Sequence, residues 1–419
     1  MAKSASPENV RFFPQPSVKE LRFFKENDII LHSFEKCLRD KKLQSENFKH
    51  VEEESNRLHG KVLWQSTNGK MLKINPMYPP MNQEDLDKIY ALPFTRVPHP
   101  RYKDKVIPAY EMIRHSVTLH RGCFGGCSFC TISAHQGKFI SSRSKESILA
   151  EVTKVTEMED FKGYLSDLGG PSANMYCLGG KDKSICEKCK KPSCLHPVIC
   201  HNLNIDHSPL LDIYKSVDNN PKIKKSFVGS GVRYDLAMAS GNDPKVEAKN
   251  REYIKELIKN HVSGRLKVAP EHTSDKVLSL MRKPSFSLFR KFKKIFDEYN
   301  NKYNLTQQLI PYFISSHPGC NLNDMADLAV ETKDLNFHLE QVQDFTPTPM
   351  TLASEIFYSG VNPYTGEKIY TATQEREKLS QRRLFFWYKP EERQSIENDL
   401  KRINRFDVIK KLFRTRTHR

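Results

Sequence analysis

The sequence predicts an α/β fold, and three observations support this prediction. From about residue 109 onward, strand-like runs alternate with amphipathic helices about six times, as in parallel βα units. Serine and threonine residues stand where several of these helices begin. The 419 residues, 38% of them hydrophobic, allow one large domain with flanking pieces. This pattern fits a partial (β/α)6 barrel or a doubly wound open sheet, which periodicity cannot separate.

Each element of the central region follows from its own pattern of apolar residues. The predicted strands span residues 115–120, 161–168, 222–229, 264–269, 307–315 and 337–345. The predicted helices span residues 144–158, 208–217, 245–260, 274–281, 285–299 and 322–335. Ser144 and Ser274 stand at helix starts, where their side chains can cap free backbone N–H groups.

The N-terminal part of the chain has a different character. Its first 60 residues are highly charged, with apolar residues at helical spacing in 18–24 and 28–38, which predicts helices. Short strand-like pieces follow at 62–65 and 71–74 among many prolines, as in a connecting segment laid over another domain.

We therefore divide the chain into three parts. Residues 1–108 form the N-terminal and proline-rich connecting segment, and residues 109–375 form the core. Residues 376–419 form a basic helical tail, which serves for docking, for interaction or as a disordered arm. The predicted architecture is thus a barrel-like α/β core with helical N- and C-terminal extensions.

Composition excludes some classes of protein. The sequence holds no run of the roughly 18 apolar residues that a membrane helix needs, and its first residues lack the apolar core of a secretory signal. We therefore predict a cytoplasmic protein without membrane contact. A reducing compartment keeps thiols free, so the ten cysteines suggest metal or catalytic roles.

The net charge of +17 suits a nucleic-acid partner, because lysine and arginine displace counterions from phosphates. The basic residues are spread along the chain, however, and no arginine and aromatic RNA-binding module accompanies them. A solvated basic face and an RNA-binding surface both remain open.

Three cysteines with the spacing CxxxCxxC follow the first predicted strand of the core. Cys123, Cys127 and Cys130 each supply a thiolate for one iron corner of a [4Fe-4S] cluster, while neighbouring glycines let the backbone wrap closely around it. The fourth iron has no protein ligand, as a catalytic cluster requires. A closed zinc site is the alternative, with His120 or His135 as the fourth ligand.

This motif and its surroundings resemble one family of proteins. CxxxCxxC with an aromatic residue before the last cysteine is typical of the radical S-adenosylmethionine (SAM) superfamily. The match extends over roughly residues 92–366, and it is similar to the YgiQ family in the strings HRGCFGGCSFC, HQGKFISSRSKESI, SDLGGPSANMY, LKVAPEHTS, IPYFISSHPGC and EQVQDFTPTPMT.

The resemblance implies a partial (β/α)6 TIM-like radical SAM barrel, a [4Fe-4S] cluster with three cysteine ligands, and bound SAM. It also implies an electron donor such as flavodoxin or ferredoxin, and a substrate that is undefined. YgiQ-like proteins carry a much longer N-terminal domain, so residues 1–108 resemble only a remnant of it.

Cofactor contacts are expected from the ends of the other strands. Gly169 and Gly170 resemble the glycine element near the methionyl amino group of SAM, and Ser230 and Arg233 are candidates for the ribose or the methionyl carboxylate. No catalytic residue is assigned. Four further polar residues end strands and are expected at the barrel mouth without a defined role, namely Glu271, His272, His317 and Asp344.

A second group of cysteines lies in an insertion over residues 177–207. So dense a group in a cytosolic chain indicates a metal, and zinc and a second iron-sulfur cluster both fit. Cys189, Cys194 and Cys200 resemble a feature of the family, with Cys177 or Cys186 as the fourth member; we take Cys177 as the first choice.

Two functions from different classes follow. The first is a radical SAM enzyme that reductively cleaves SAM to a 5′-deoxyadenosyl radical and acts on an unidentified substrate. The second is a basic RNA-binding module that iron-sulfur or zinc loops merely brace. RNA is a possible partner in both cases, since the positive charge suits either.

Overall fold

The computed structural model of the protein describes residues 10–14 (backbone), 25–103, 105–240 and 243–413. The strands are β1 (Val10–Pro14), β2 (Ile29–Ile30), β3 (Leu63–Thr67), β4 (Lys70–Ile74), β5 (Ser116–Thr118), β6 (His120–Arg121), β7 (Ser141–Ser142), β8 (Tyr164–Leu165), β9 (Asp167–Gly169), β10 (Lys225–Ser226), β11 (Arg265–Glu271), β12 (Gln308–Ser315) and β13 (Val342–Asp344).

The helices alternate with these strands through the centre of the chain. They are α1 (Phe34–Arg39), α2 (Lys41–Ser55), α3 (Gln83–Ala91), α4 (Pro108–Ile113), α5 (Ile132–Gln136), α6 (Lys145–Thr156), α7 (Lys183–Lys188), α8 (Ser208–Asp218), α9 (Tyr234–Ala237), α10 (Pro244–Asn260), α11 (Asp275–Met281), α12 (Phe286–Lys302), α13 (Leu322–Asp334), α14 (Leu352–Ser359), α15 (Glu375–Arg383), α16 (Arg393–Arg402) and α17 (Phe406–Phe413).

The central strands pair in parallel with their neighbours in the sequence. β5 pairs with β9, and β8, one residue before β9, pairs with β10. β11 pairs with β12, and β12 with β13. A parallel bridge between Val232 and Val268 joins the segment after β10 to β11. The predicted mixture of parallel strands and intervening helices is therefore confirmed.

The helices bury apolar side chains against these strands. Phe289, Phe292 and Phe296 of α12 recur at helical spacing and are at most 2% exposed. They belong to one large cluster that also contains Leu266 of β11 and Phe313 of β12. Truncating one such phenylalanine to alanine costs about 3 to 5 kcal/mol, so these contacts hold the strand ends in position.

The N-terminal segment contains strands as well as helices, which corrects the prediction that its first 60 residues are helical. Its strands form a four-stranded sheet in the order β1-β4-β3-β2, beside α1 and α2. Ile29 and Ile30, predicted to lie in a helix over 28–38, instead pair in parallel with Leu63 and Trp64 of β3. Pairing with a distant strand overrides the local helical pattern. The helix predicted at 18–24 lies outside the described residues.

The C-terminal helices pack onto the core. Ile396 and Leu400 of α16 and Val408 and Leu412 of α17 are at most 4% exposed and belong to the same large cluster. The described part of the tail is therefore docked on the core, which is one of the three forms predicted for it. Residues 414–419 lie outside the described part. Among the helices described, none is both long and apolar enough to cross a bilayer.

Candidate active site

The CxxxCxxC loop begins immediately after β6. Gly122 has a φ of 89°, and an added Cβ would lie 2.4 Å from the carbonyl oxygen of Phe139, so the turn into the loop requires glycine. The backbone N–H of Cys123 donates to the carbonyl oxygen of Gly137 at 3.0 Å, and that of Cys130 to Cys127 at 3.1 Å. The three thiols are thus carried on one short, fixed loop.

Donors and positive charges converge on these thiols. The N–H of Gly125 donates to Sγ of Cys123 at 3.4 Å, and Nη1 of Arg233 donates to Sγ of Cys127 at 3.4 Å. Lys283, only 6% exposed, lowers the pKa of the Cys123 thiol together with Arg233, against burial and the neighbouring Cys127, which raise it. The surroundings therefore favour a negatively charged group at the loop.

Burial has the larger effect on the free thiols. It raises the pKa of Cys123, and with the charge of Cys127 it raises the pKa of Cys130 to about 12. The thiols of Cys123 and Cys130 therefore resist deprotonation unless a metal takes the place of their protons, as iron does in a cluster. The donor set, the glycine N–H group and the two cations fit a [4Fe-4S] cluster with three protein ligands.

A hydrogen bond between two buried side chains, Ser128 of the loop and His317, fixes the loop to the core. Oγ of Ser128 lies 3.2 Å from Nε2 of His317, whose Nδ1 lies 2.8 Å from the carbonyl oxygen of Pro318. Nδ1 therefore carries the proton and Ser128 donates to Nε2. Burial lowers the pKa of His317 to about 3, which keeps this imidazole neutral. His317, predicted at the barrel mouth, thus braces the cysteine loop.

The structure brings Gly169, Gly170 and Ser230 together, as expected for strand ends. Asp167 accepts hydrogen bonds from the N–H groups of Gly229 and Ser230 and from Oγ of Ser230. A Cβ at Gly169 would lie 2.8 Å from Oγ of Ser230. There is therefore no room for a side chain at Gly169.

A buried histidine without a hydrogen-bond partner lies beside this surface. A Cβ at Gly170 would lie 2.5 Å from the His120 ring, which is 0% exposed. Neither ring nitrogen of His120 has a hydrogen-bond partner among the described residues. Gly170 therefore packs directly against this buried ring, where no larger residue would fit.

Arg233 is held by a neighbouring carboxylate and reaches the cysteine loop. Its Nε donates to Asp235 at 2.9 Å and its Nη2 to the same carboxylate at 2.5 Å, while Nη1 reaches Cys127. The guanidinium is thus directed to Asp235 and to the thiol, and it brings its charge to the cysteine loop. Its contact with a ribose or a carboxylate of SAM stays a prediction.

The remaining strand-end residues have different surroundings. Glu271 lies 3.8 Å from Nζ of Lys283, and burial raises its pKa. Nδ1 of His272 accepts from the N–H of Ser274 at 3.0 Å, so His272 caps α11. Asp344 accepts from Oγ of Ser315 at 2.6 Å. Of the four, Glu271 and His317 thus lie beside the cysteine loop.

A cleft beside the loop is lined both by the N-terminal segment and by the later part of the core. It is lined by Cys127 and Cys130, by Glu52 of α2 and by Thr351 just before α14. Arg282, 9% exposed, also lines the cleft and binds Glu52 through two hydrogen bonds of 2.7 and 2.9 Å. The N-terminal helix therefore covers one side of the cysteine loop.

The second cysteine group is close to the first loop. Cys186 lies on α7, which ends at Cys189, and Cys194 and Cys200 follow in the inserted segment. The N–H of Cys194 donates to the carbonyl oxygen of Phe124 at 3.0 Å, between Cys123 and Cys127.

Of the two candidates for the fourth member, the structure brings Cys186 rather than Cys177 toward the other three thiols. Cys177 is exposed, and its N–H donates to Ser142 on the far side of the segment. The charge of Cys186 instead acts on Cys194, whose burial-raised pKa is about 11. The spacing alone does not show which cysteine the backbone turns toward the others.

Several residues of the site have no signal in the sequence. Lys138 donates to Sγ of Cys189 at 3.5 Å, and Lys283 and Asp235 flank the first loop. Lys138 lies within the string HQGKFISSRSKESI, which does not mark it as a donor to sulfur, and Asp235 and Lys283 lie outside the quoted strings. Lys283 stands among other basic residues, so only its burial distinguishes it.

Comparisons with known proteins agree with the motif. A family model described as "Radical SAM N-terminal" matches residues 4–116, and a domain of unknown function, DUF3362, matches residues 340–412. UPF0313 proteins of Bacteroides thetaiotaomicron, Porphyromonas gingivalis and Methanocella arvoryzae are 65%, 59% and 43% identical over 92%, 93% and 91% of this chain. The chain spans 62%, 61% and 62% of their lengths.

One similar solved structure is that of the radical S-adenosylmethionine methyltransferase TsrM from Kitasatospora setae, with cobalamin and a [4Fe-4S] cluster bound. It is 13% identical with a TM-score of 0.36, over 61% of this chain and 42% of that chain, and so weak a similarity supports no conclusion here. The sequence relatives and the matched family model are sufficient to assign the family. The chain belongs to the UPF0313, or YgiQ, family of radical SAM proteins.

Proposed function

We propose that this chain is a radical SAM enzyme with a [4Fe-4S] cluster on Cys123, Cys127 and Cys130. The observation that carries the proposal is the loop itself: three partly buried thiols lie together with one glycine N–H and near the cations of Arg233 and Lys283. When bound, the cluster gives one electron to SAM, which breaks the sulfur–C5′ bond to methionine and a 5′-deoxyadenosyl radical.

The protein's own residues hold the loop and limit access to it. Ser128 and His317 fix the loop from the core, and Arg233 offsets negative charge at Cys127. Gly169, Gly170 and Ser230 are the proposed contacts for the methionyl and ribose parts of SAM, because their surface lies at strand ends and admits close approach. Glu52 and Arg282 cover the side of the cleft and keep out water.

The finer architecture is part of the same proposal. Six strand units paired in sequence order are expected of a partial (β/α)6 barrel, whose active site lies at the carboxyl ends of its strands. Residues 109–375 would form this core, with 1–108 and 376–419 as extensions. The substrate is unidentified, RNA is a predicted partner, and the electron donor is expected to be a flavodoxin or a ferredoxin. The cytoplasmic location likewise stays a prediction.

Anaerobic reconstitution tests the function directly. Protein loaded with iron and sulfide is mixed with dithionite and SAM, and we expect 5′-deoxyadenosine and methionine in equal amounts. Cys127→Ala should lose the product and most visible absorbance of the first cluster, whereas Cys177→Ala, an exposed thiol, should keep both. A cluster-loaded sample that yields no 5′-deoxyadenosine would favour an RNA-binding module instead.

A further inference from the structure

The second cysteine group contains a buried positive charge that has no carboxylate partner. Lys138 is 3% exposed. Its Nζ donates to Sγ of Cys189 at 3.5 Å and to the carbonyl oxygen of Lys191 at 2.6 Å. Among the described residues, no carboxylate oxygen lies within 4.0 Å of this ammonium group. A buried charge needs a counter-charge, and thiolates are the groups at hand.

Thiols of the second group lie around this ammonium group: besides its contact with Cys189, its charge acts on Cys186 and on Cys194. The charges of Cys186, Cys189 and Cys200 all act on Cys194, as does that of Lys138. Nδ2 of Asn202 donates to Sγ of Cys186 at 3.5 Å, a second donor directed at sulfur. A Cβ at Gly180 would lie 2.2 Å from the same sulfur, so glycine leaves room for it.

The sulfurs of this group are not gathered as closely as a single zinc ion would hold them. A zinc ion bound by thiolates at about 2.3 Å brings their sulfurs to within about 4 Å of one another. In the described part of the chain, no three thiols have sulfurs that all lie within 4.8 Å of each other. Cys123, Cys127 and Cys130 share this open spacing, which suits separate irons.

The second group also touches the first loop through the backbone. Oγ of Ser193 donates to the carbonyl oxygen of Gly125 at 2.7 Å, and the N–H of Cys194 donates to Phe124 at 3.0 Å. Cys123, Cys194 and Cys200 pack against the same small hydrophobic cluster around Phe124. No solvent layer separates the two groups of thiols at these contacts.

We propose that Cys186, Cys189, Cys194 and Cys200 bind a second [4Fe-4S] cluster, which passes single electrons to the cluster on the first loop. Four thiolates leave no open iron, so this site suits electron transfer rather than substrate binding. An external one-electron donor is oxidised as the second cluster is reduced, and the second cluster is reoxidised as the first is reduced. No proton or bond is transferred. The transfer step rests on the proposed function, whereas the second site does not.

Metal and sulfide analysis of the full chain after anaerobic reconstitution tests the second site. We expect about eight iron and eight sulfide per chain, and about four of each in Cys189→Ala/Cys194→Ala. Cys186→Ala should lower the iron content, while the matched variant Cys177→Ala should leave it unchanged. The proposal is overturned if the wild type binds about four iron and one zinc, or if Cys177→Ala loses iron and Cys186→Ala does not.

Two further variants separate this proposal from that of the first cluster. Cys123→Ala/Cys127→Ala/Cys130→Ala should retain about four iron if the second site exists, and none if it does not. Lys138→Met should keep the iron and lower the reduction potential of the retained cluster, because a positive charge beside sulfur favours the reduced, more negative state. An unchanged potential would exclude Lys138 as the counter-charge. Circular dichroism confirms that each variant is folded.

Discussion

A buried ion pair joins the N-terminal helix to the core, and removing one partner should be costly. Glu52 of α2 accepts two hydrogen bonds from Arg282 at 2.7 and 2.9 Å and one from the hydroxyl of Tyr364 at 2.6 Å. Arg282 is 9% exposed and Glu52 is 8% exposed. Glu52→Ala leaves the guanidinium charged, buried and unpaired. We expect a loss of about 3 to 5 kcal/mol in the free energy of unfolding.

A double-mutant cycle separates the pair from the packing around it. Arg282→Met removes the charge and keeps most of the volume, so Glu52→Ala/Arg282→Met should cost less than the sum of the two single changes, by about 3 kcal/mol. Tyr364→Phe removes only one hydrogen bond to a charged acceptor and should cost about 1.5 kcal/mol.

Urea unfolding followed by tryptophan fluorescence measures these changes. Trp64 and Trp387 are the two tryptophans, and Trp64 is buried in β3, in the same segment as Glu52. In a Trp387→Phe background the fluorescence therefore reports on the N-terminal segment. A loss below about 1 kcal/mol for Glu52→Ala, or strictly additive single changes, would refute the view that this pair holds the N-terminal helix over the cleft.

Three other expectations follow from the site and its surroundings. Gly126→Ala, at a φ of 60° and with an added Cβ 2.2 Å from a backbone oxygen of the inserted segment, should lower the iron content of reconstituted protein, whereas Gly179→Ala meets no atom within 4 Å and should not. Burial lowers the pKa of His317 to about 3, so the unfolded chain binds a proton that the folded chain does not. The free energy of unfolding should then fall by up to about 1.4 kcal/mol per pH unit from about pH 6.5 toward pH 3, and His317→Gln should remove this component in acid titrations. The imidazole of His261, whose Nε2 lies 3.6 Å from Oε1 of Glu256, lowers the pKa of Glu256 from its ordinary 4.5 to about 2; the resulting stabilisation is present above pH 4.5 and lost toward pH 2, and Glu256→Gln should flatten that part of the acid unfolding curve.

The central elements were predictable because their patterns are local. The strand predicted at 307–315 is observed as Gln308–Ser315, and the helix predicted at 322–335 as Leu322–Asp334. Each alternates or repeats its apolar residues at the period of its own geometry, which neighbouring residues alone determine. The short strand Ile29–Ile30 depends on a partner more than thirty residues away, and so its local pattern misled.

The sequence singles out the cysteines of the first loop but not the residues that surround them. The spacing of Cys123, Cys127 and Cys130 identifies them in the sequence. Lys138, Asp235 and Lys283, in contrast, come close to the cysteine sulfurs or to Arg233 only when distant segments fold together. The choice between Cys177 and Cys186 is of the same kind. It depends on the direction in which α7 turns the chain, which the number of intervening residues does not determine.

The inserted segment lies directly on the first cysteine loop, and this limits how far the chain can be simplified. The carbonyl oxygen of Pro192 approaches Gly126 so closely that even a methyl group would not fit between them. An engineer who trims the insertion to obtain a minimal catalyst would expose Phe124, now 2% exposed, together with the carbonyl oxygen of Gly125. Dioxygen would then reach the thiols of the first loop from that side, so a shortened version must replace the cover that the insertion provides.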